Sequence, residues 1–266
     1  MRIHVAAALF FSPALAIAQT ATSTGDILAR SADNRWTLGA AVSVRDSPYA
    51  GEGTRTRPLP LLTYSGERLF WNGLSGGVHA VRGERFGLDV ILAGRFDGFD
   101  IDDLGRSALI RNGLDPALLE DRDDGLDAGL ALSWFGRAGQ LKLHALADIT
   151  DASGGHEFGA DYAYAMRWGS TTIVPGIGVR WMSRDLVRYY YGILEEEAAR
   201  GVAAYRPGSA VVPQVSIGFS RSLGEKWRLV GAVDYRFLPD EITDSPLIEP
   251  DTSGGAGLRI GLTRGF

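Results

Sequence analysis

The chain has 266 residues, a formal net charge of −5, 35 glycines, 10% aromatic residues and no cysteine. The charge argues against nucleic acid as a partner, and the missing cysteine excludes a disulfide scaffold, a thiolate zinc site and a lipid-modified N-terminal cysteine. Mean hydropathy is -0.02, far too polar for a bundle of membrane helices, yet compatible with a membrane β-barrel, in which only alternate residues meet lipid.

At the N-terminus, Arg2 precedes an apolar run over Val5–Ile17, closed by Ala16-Ile17-Ala18. This is the layout of a secretory signal peptide with a small-x-small cleavage site, and the run is too short to span a bilayer as a helix. We expect residues 1–18 to be that signal, residues 19–34 to be a polar periplasmic tail, and residues 35–266 to form one barrel.

From there the chain alternates. Trp36–Val44 places Trp36, Leu38, Ala40, Val42 and Val44 on one face, as a strand does. Pro58–Tyr64 and Arg68–Trp71 are short strand candidates, the first with two prolines that cannot donate to a ladder. Asn72-Gly73 signals a hairpin before Leu74–Val81. Phe86–Phe96 follows, then an acidic segment over Asp97–Asp124. Leu126–Phe135 and Gln140–Ile149 form a hairpin, and Thr150–Glu157 reads as a glycine-rich loop. Gly159–Trp168 and Thr171–Trp181 pair through Gly169-Ser170. After a long segment, Met182–Ala210, come Val211–Arg221, Lys226–Phe237, another long loop over Leu238–Gly255, and Ala256–Phe266. About twelve strands result, or ten if the Pro58–Trp71 region does not divide.

Faces and loops point the same way. Tyr162, Tyr164, Met166 and Trp168 share one side of their strand; Asp161, Ala163, Ala165 and Arg167 share the other. A soluble barrel has no interior room for so many rings, whereas a membrane barrel turns them to lipid. From Phe86 onward loops run long and short in turn, matching long extracellular loops and short periplasmic turns. Trp36, Trp134, Trp168 and Trp227 fall at the periplasmic ends of strands and Trp181 at the opposite rim, an aromatic girdle. Leu258, Ile260, Leu262 and the terminal Phe266 share a face and resemble the signal read by the barrel-assembly machinery, with Arg264 interrupting the apolar pattern.

Candidate chemistry is sparse. His144 and Asp148 share a strand face, and Ser133 lies across the turn opposite Lys142. A Ser–His–Asp hydrolase is imaginable, but this face is the lumen and no strained nucleophile turn is present. We read Lys142, His144, Asp148, Asp161, Arg167 and Arg180 as a polar network in the lumen. Asp89, Arg95, Asp127, Arg228, Asp234, Arg236 and Arg259 join it, with mixed signs that imply pairing across the lumen. Asp121, Asp123 and Asp124 precede Gly125 without the spacing of a calcium loop, so that segment reads as a solvated loop. Tyr189–Tyr191 is either an exposed binding patch or a loop folded back onto the barrel mouth. We assign no catalytic residue, no metal and no cofactor.

Tyr189-Tyr190-Tyr191-Gly192, then Glu196–Ala199, Gly201 and Tyr205, resemble a segment of the MipA/OmpV family of outer-membrane β-barrels. Asp240-Glu241 with Asp244-Ser245-Pro246 resembles the family's acidic stretch before the last strand, and Arg57-Pro58-Leu59-Pro60 with Tyr64 its early proline strand. The resemblance implies an outer-membrane barrel surrounded by lipid and lipopolysaccharide. It also implies a scaffold joining a murein hydrolase to a murein synthase; other members are treated as porins or adhesion proteins.

Overall fold

The computed structural model describes residues 35–266. The expected signal peptide and tail lie outside these described residues. Strands β1 (Trp36–Asp46), β2 (Thr54–Ser65), β3 (Leu69–Asn72), β4 (Ser75–Arg82), β5 (Phe86–Arg95), β6 (Gly125–Gly136) and β7 (Gly139–Asp148) form an antiparallel meander. It continues through β8 (His156–Ala163), β9 (Met166–Trp168), β10 (Thr171–Met182), β11 (Ala210–Leu223), β12 (Trp227–Phe237) and β13 (Gly254–Gly265). β13 pairs with β1, and β10 with β11, so the sheet closes on itself.

β8 and β9 occupy one position in the ring, because both pair with β10 in the same register. Twelve strand positions therefore surround the lumen. The expected single strand Gly159–Trp168 is split by the residue opposite it. Tyr164 donates its N–H to the Pro175 carbonyl, and proline has no N–H to return. The region of Pro58 and Pro60 does divide into β2 and β3, joined by residues 66–68. At Asn72-Gly73 the chain turns with Gly73 at φ 63°, a left-handed conformation that suits glycine.

Alternate residues face out along every long strand. The outward row of β1 (Trp36, Leu38, Val42), that of β6 (Leu130, Leu132, Trp134) and that of β13 (Leu258, Ile260, Leu262) are all exposed. In water such a belt would be untenable over this area; in a bilayer it is the lipid-facing band. All six tryptophans except Trp71 stand where the girdle requires, and Trp71 adds a ring on the short strand β3. Among the described residues no helix is long and apolar enough to cross a membrane; the crossing is made by strands.

The hydrophobic core lies at one end, outside the barrel wall. Segments 47–53, 96–124, 183–209 and 238–253 pack together over the extracellular mouth, burying Tyr49, Leu109, Leu186, Tyr190, Ile242 and Leu247. Short helices stiffen them: α1 (Arg106–Arg111), α2 (Arg184–Tyr191), α3 (Glu195–Ala199) and α4 (Asp240–Thr243). The acidic segment 97–124 is thus not the solvated loop its charges suggest. Phe99, Leu104, Leu109 and Leu114 carry it into the shared core, and its aspartates stay at the surface, bind backbone or, at Asp97, meet Arg95.

Candidate functional site: a charged lumen beneath a folded lid

Inward residues of β4 to β8, β10 and β11 build the first cluster. Arg95 on β5 reaches Asp127 on β6 at 2.6 Å and Glu157 on β8 at 3.2 Å. Glu157 also meets His144 Nε2 on β7 at 3.2 Å and Arg180 on β10 at 3.9 Å. Asp161 accepts from Gln214 Nε2 at 2.9 Å and lies 3.8 Å from His144 Nδ1. His79 Nδ1 approaches Asp89 at 2.6 Å. Each strand contributes one or two charges at a matching height, which is why alternation alone can assemble the cluster. Glycines make room: a methyl group at Gly159 would fall onto the His144 ring.

A second cluster lies on the wall made by β12, β13 and β1. Asp234 on β12 receives Arg45 of β1 at 2.9 Å and Arg259 of β13 at 3.8 Å. Gly257 faces this pair, and a side chain there would strike both Arg45 and Asp234. Two arginines share one carboxylate, and Arg45 Nη1 and Arg259 Nε have no protein partner. Ser43 Oγ, Gln140 Nε2 and Gln214 Oε1 are likewise buried without one.

Most residues expected in the lumen are there, with two exceptions. Asp148 turns away to hold the loop after β7, accepting from the backbone N–H groups of Thr150, Ser153 and Gly154 at 2.6–3.0 Å. Arg167 is exposed on β9 at the periplasmic end. His144 therefore bonds Glu157, and Ser133 is buried on the lumen side opposite Lys142. Glu157 is the central acceptor that sequence reasoning missed, because it was placed in a glycine-rich loop. Stepping back by two from Asp161 through Gly159 would have found it.

Above the lumen, the lid is tied by a buried ion pair. Arg122 Nη1 and Nη2 meet the two oxygens of Glu197, each at 2.9 Å, and both side chains are 0% exposed. Glu197 also accepts from the N–H groups of Leu194 at 2.7 Å and Glu120 at 2.9 Å. Arg122 Nε donates to the Tyr189 carbonyl at 2.7 Å. Tyr49 donates to the Tyr190 carbonyl at 3.3 Å, and Tyr190 to that of Asp123 at 3.2 Å. Tyr190 and Tyr191 are buried, so the tyrosine run folds back onto the mouth. Burial, reinforced by Asp97, pushes the Tyr191 hydroxyl up to about 12. Asp121 and Asp124 accept from the N–H groups of Ile101 at 2.7 Å and Gly98 at 3.1 Å. Among the described residues no cluster of acidic and histidine side chains has the geometry of a metal site.

A closed twelve-position barrel with an apolar outer belt, a charged interior and long loops at one end defines an outer-membrane β-barrel protein. The chain belongs to the family of MltA-interacting protein MipA, whose model matches residues 38–266. It is 30% identical over 224 residues to the MltA-interacting protein of Escherichia coli K12, covering 84% of this chain and 88% of that one. It is 31% identical over 220 residues to the outer membrane protein YiaT of the same organism, covering 81% and 85%. OmpV of Vibrio cholerae is 25% identical over 127 residues, 48% of each chain. Of solved structures, the NanC porin aligns with a TM-score of 0.48 and 9% identity, covering 86% of this chain and 100% of that one. These relatives bear the names of interacting and outer-membrane proteins, and the chain resides in the outer membrane.

Proposed function

We propose that the protein is a non-enzymatic scaffold that holds a murein hydrolase and a murein synthase at the inner face of the outer membrane. The folded lid is the observation that carries this reading. A mouth covered by four interlocked segments suits a rigid, stoppered frame better than an open conduit. The name of the Escherichia coli relative supports the class of partner. Murein lies on the periplasmic side, so docking falls to the turns at residues 66–68, 83–85, 137–138, 169–170 and 224–226. Phe266, with the Arg264 guanidinium 5.1 Å from its ring centroid, is the end offered to the barrel-assembly machinery. Outer-membrane lipid and lipopolysaccharide surround the belt.

Photo-crosslinkers placed at Arg137 and Lys226 in intact cells test the scaffold. Capture of a murein hydrolase there, and not from Arg111 on the lid, supports it; no murein enzyme at any turn removes it. A second reading, a porin-like channel, is favoured by the unpaired polar atoms of the lumen. Steady ohmic steps in planar bilayers support the channel, and a silent bilayer supports the stoppered frame.

A further inference from the structure

The barrel wall has a notch. β2 is twelve residues long and pairs along its whole length with β1, but β3 is four residues long and covers only Thr63–Ser65. The β3–β4 hairpin ends at Asn72–Ser75, and no ladder joins β2 to β5 above it among the described residues. The notch is flanked by the lipid belt. Pro58 and Pro60 stand opposite Val42 and Ala40 on β1, and Leu92, one residue below the end of the β4–β5 ladder, is exposed. It therefore opens toward the hydrocarbon of the outer half of the bilayer.

Hydrogen bonding fixes which backbone groups point into it. Ser65 donates to Arg35 on the β1 side, and Leu62 accepts from Gly73 on the β3 side, both at 2.9 Å. Residues of even number along β2 therefore direct their amides to the notch: Thr54, Thr56, Pro58 and Pro60. An unpaired N–H in hydrocarbon costs several kcal/mol. At the two deeper positions the residue is proline, which has none and leaves only its carbonyl to be satisfied. The same absence blunts the edge against an added strand, so a partner chain is not the occupant this edge favours.

Behind the notch the lumen changes character. Leu59 is buried, Leu61 reaches Gly261 across Ala41, and Phe70 stacks on His79 at 4.9 Å. Ile91 and Ala93 share the inward face of β5 with Asp89. In an interior otherwise lined with charges, Leu59, Leu61, Ile91 and Ala93 form an apolar patch beside the His79–Asp89 pair. Half-buried Arg57, on the same inward face, feels the carboxylates of Asp124 and Glu52 but makes no direct ion pair among the described residues. With the extracellular mouth covered, the side is the open approach.

We propose that the notch is a lateral portal, through which the acyl chain of an anionic amphiphile in the outer leaflet reaches the lumen, its head group met by Arg57. The chain has no cysteine, so one introduced thiol gives a unique label. Leu61→Cys carrying a bimane fluorophore is refolded into phosphatidylcholine vesicles with brominated acyl chains. Val90→Cys on the outward face and Ala131→Cys on the inward face of the closed wall are the references. Quenching at 61 at least half that at 90, with none at 131, is the expected result. A label at 61 as protected as that at 131 overturns the portal. Leu59→Cys gives the same readout if the first variant fails to fold, as judged by its mobility shift on unboiled gels. For the head group, a brominated fatty acid is compared with the alcohol of equal chain length. The acid should quench several-fold more in the Leu61→Cys protein, and Arg57→Gln should remove the difference. Equal quenching with Arg57 intact overturns the assignment of an anionic head.

Discussion

Glu197 shows how one carboxylate can hold an assembly of loops. It accepts both guanidinium branches of Arg122, closes the start of α3 and ties down residue 120. Removing one member of a buried pair leaves the other charged and unsolvated, at a cost of about 3–5 kcal/mol. Glu197→Ala should therefore open the lid while the barrel survives. Limited proteolysis would cut within residues 96–124 and 183–209, and the heat-modifiable gel shift of the barrel would persist. The tyrosines make the lid sensitive to base. Burial raises the hydroxyls of Tyr49, Tyr190 and Tyr191 above their unfolded value of 10.0, so the folded lid retains protons that the unfolded one gives up. Lid stability is then full below pH 10 and falls as pH climbs from 10 through about 12. Tyrosinate absorbance should rise together with protease cutting of the lid; ionisation of these groups near pH 10 with the lid intact would contradict the burial. Among residues, His144, Asp161 and Arg180 were legible in the sequence because alternation fixes their face. Asp148 was misjudged because a carboxylate at a strand end has local backbone donors available, and these outcompete a partner across the lumen.

For single elements, the alternating strands were readable nearly to their ends. The outward rows are long, apolar and interrupted by turn residues, and lipid enforces the pattern on each strand separately. The lid helices were not readable. They are four to eight residues long, too short to be stable alone, and exist because neighbouring loops bury one side of each. β6 offers a direct test of the outward assignment. Leu130→Arg puts a charge on the lipid side of that strand, which costs about 2–4 kcal/mol at the bilayer midplane. Folding into liposomes, followed by denaturant titration, should show a loss of that size. A neutral result would place Leu130 away from lipid.

At the level of the whole molecule, barrel and lid are different kinds of solid. The barrel is held by a closed ladder and by lipid on its outside; the lid is held by a conventional apolar core with one ion pair inside it. The two should therefore come apart in separate steps. Urea titration in detergent is expected to release lid tyrosine signals at lower concentration than the loss of sheet circular dichroism. A single coincident transition would mean the lid and wall are one cooperative unit. The closed sheet was legible from the even strand count and the loop alternation, whereas the lid was not, because nothing in a loop's own sequence reveals which other loops it will meet.

β1 and β13 stand side by side, and that neighbourhood governs the order of events during biogenesis. Apart from β8 with β10, where β9 continues the β8 position, every other pairing joins strands adjacent along the polypeptide, so hairpins can zip up one after another as they arrive. The seam alone unites segments some two hundred residues apart, and it can form only when the final twelve-residue strand is present. A chain shortened before Gly254 would thus be left as an open, curled ribbon with two raw edges, a natural target for periplasmic proteases.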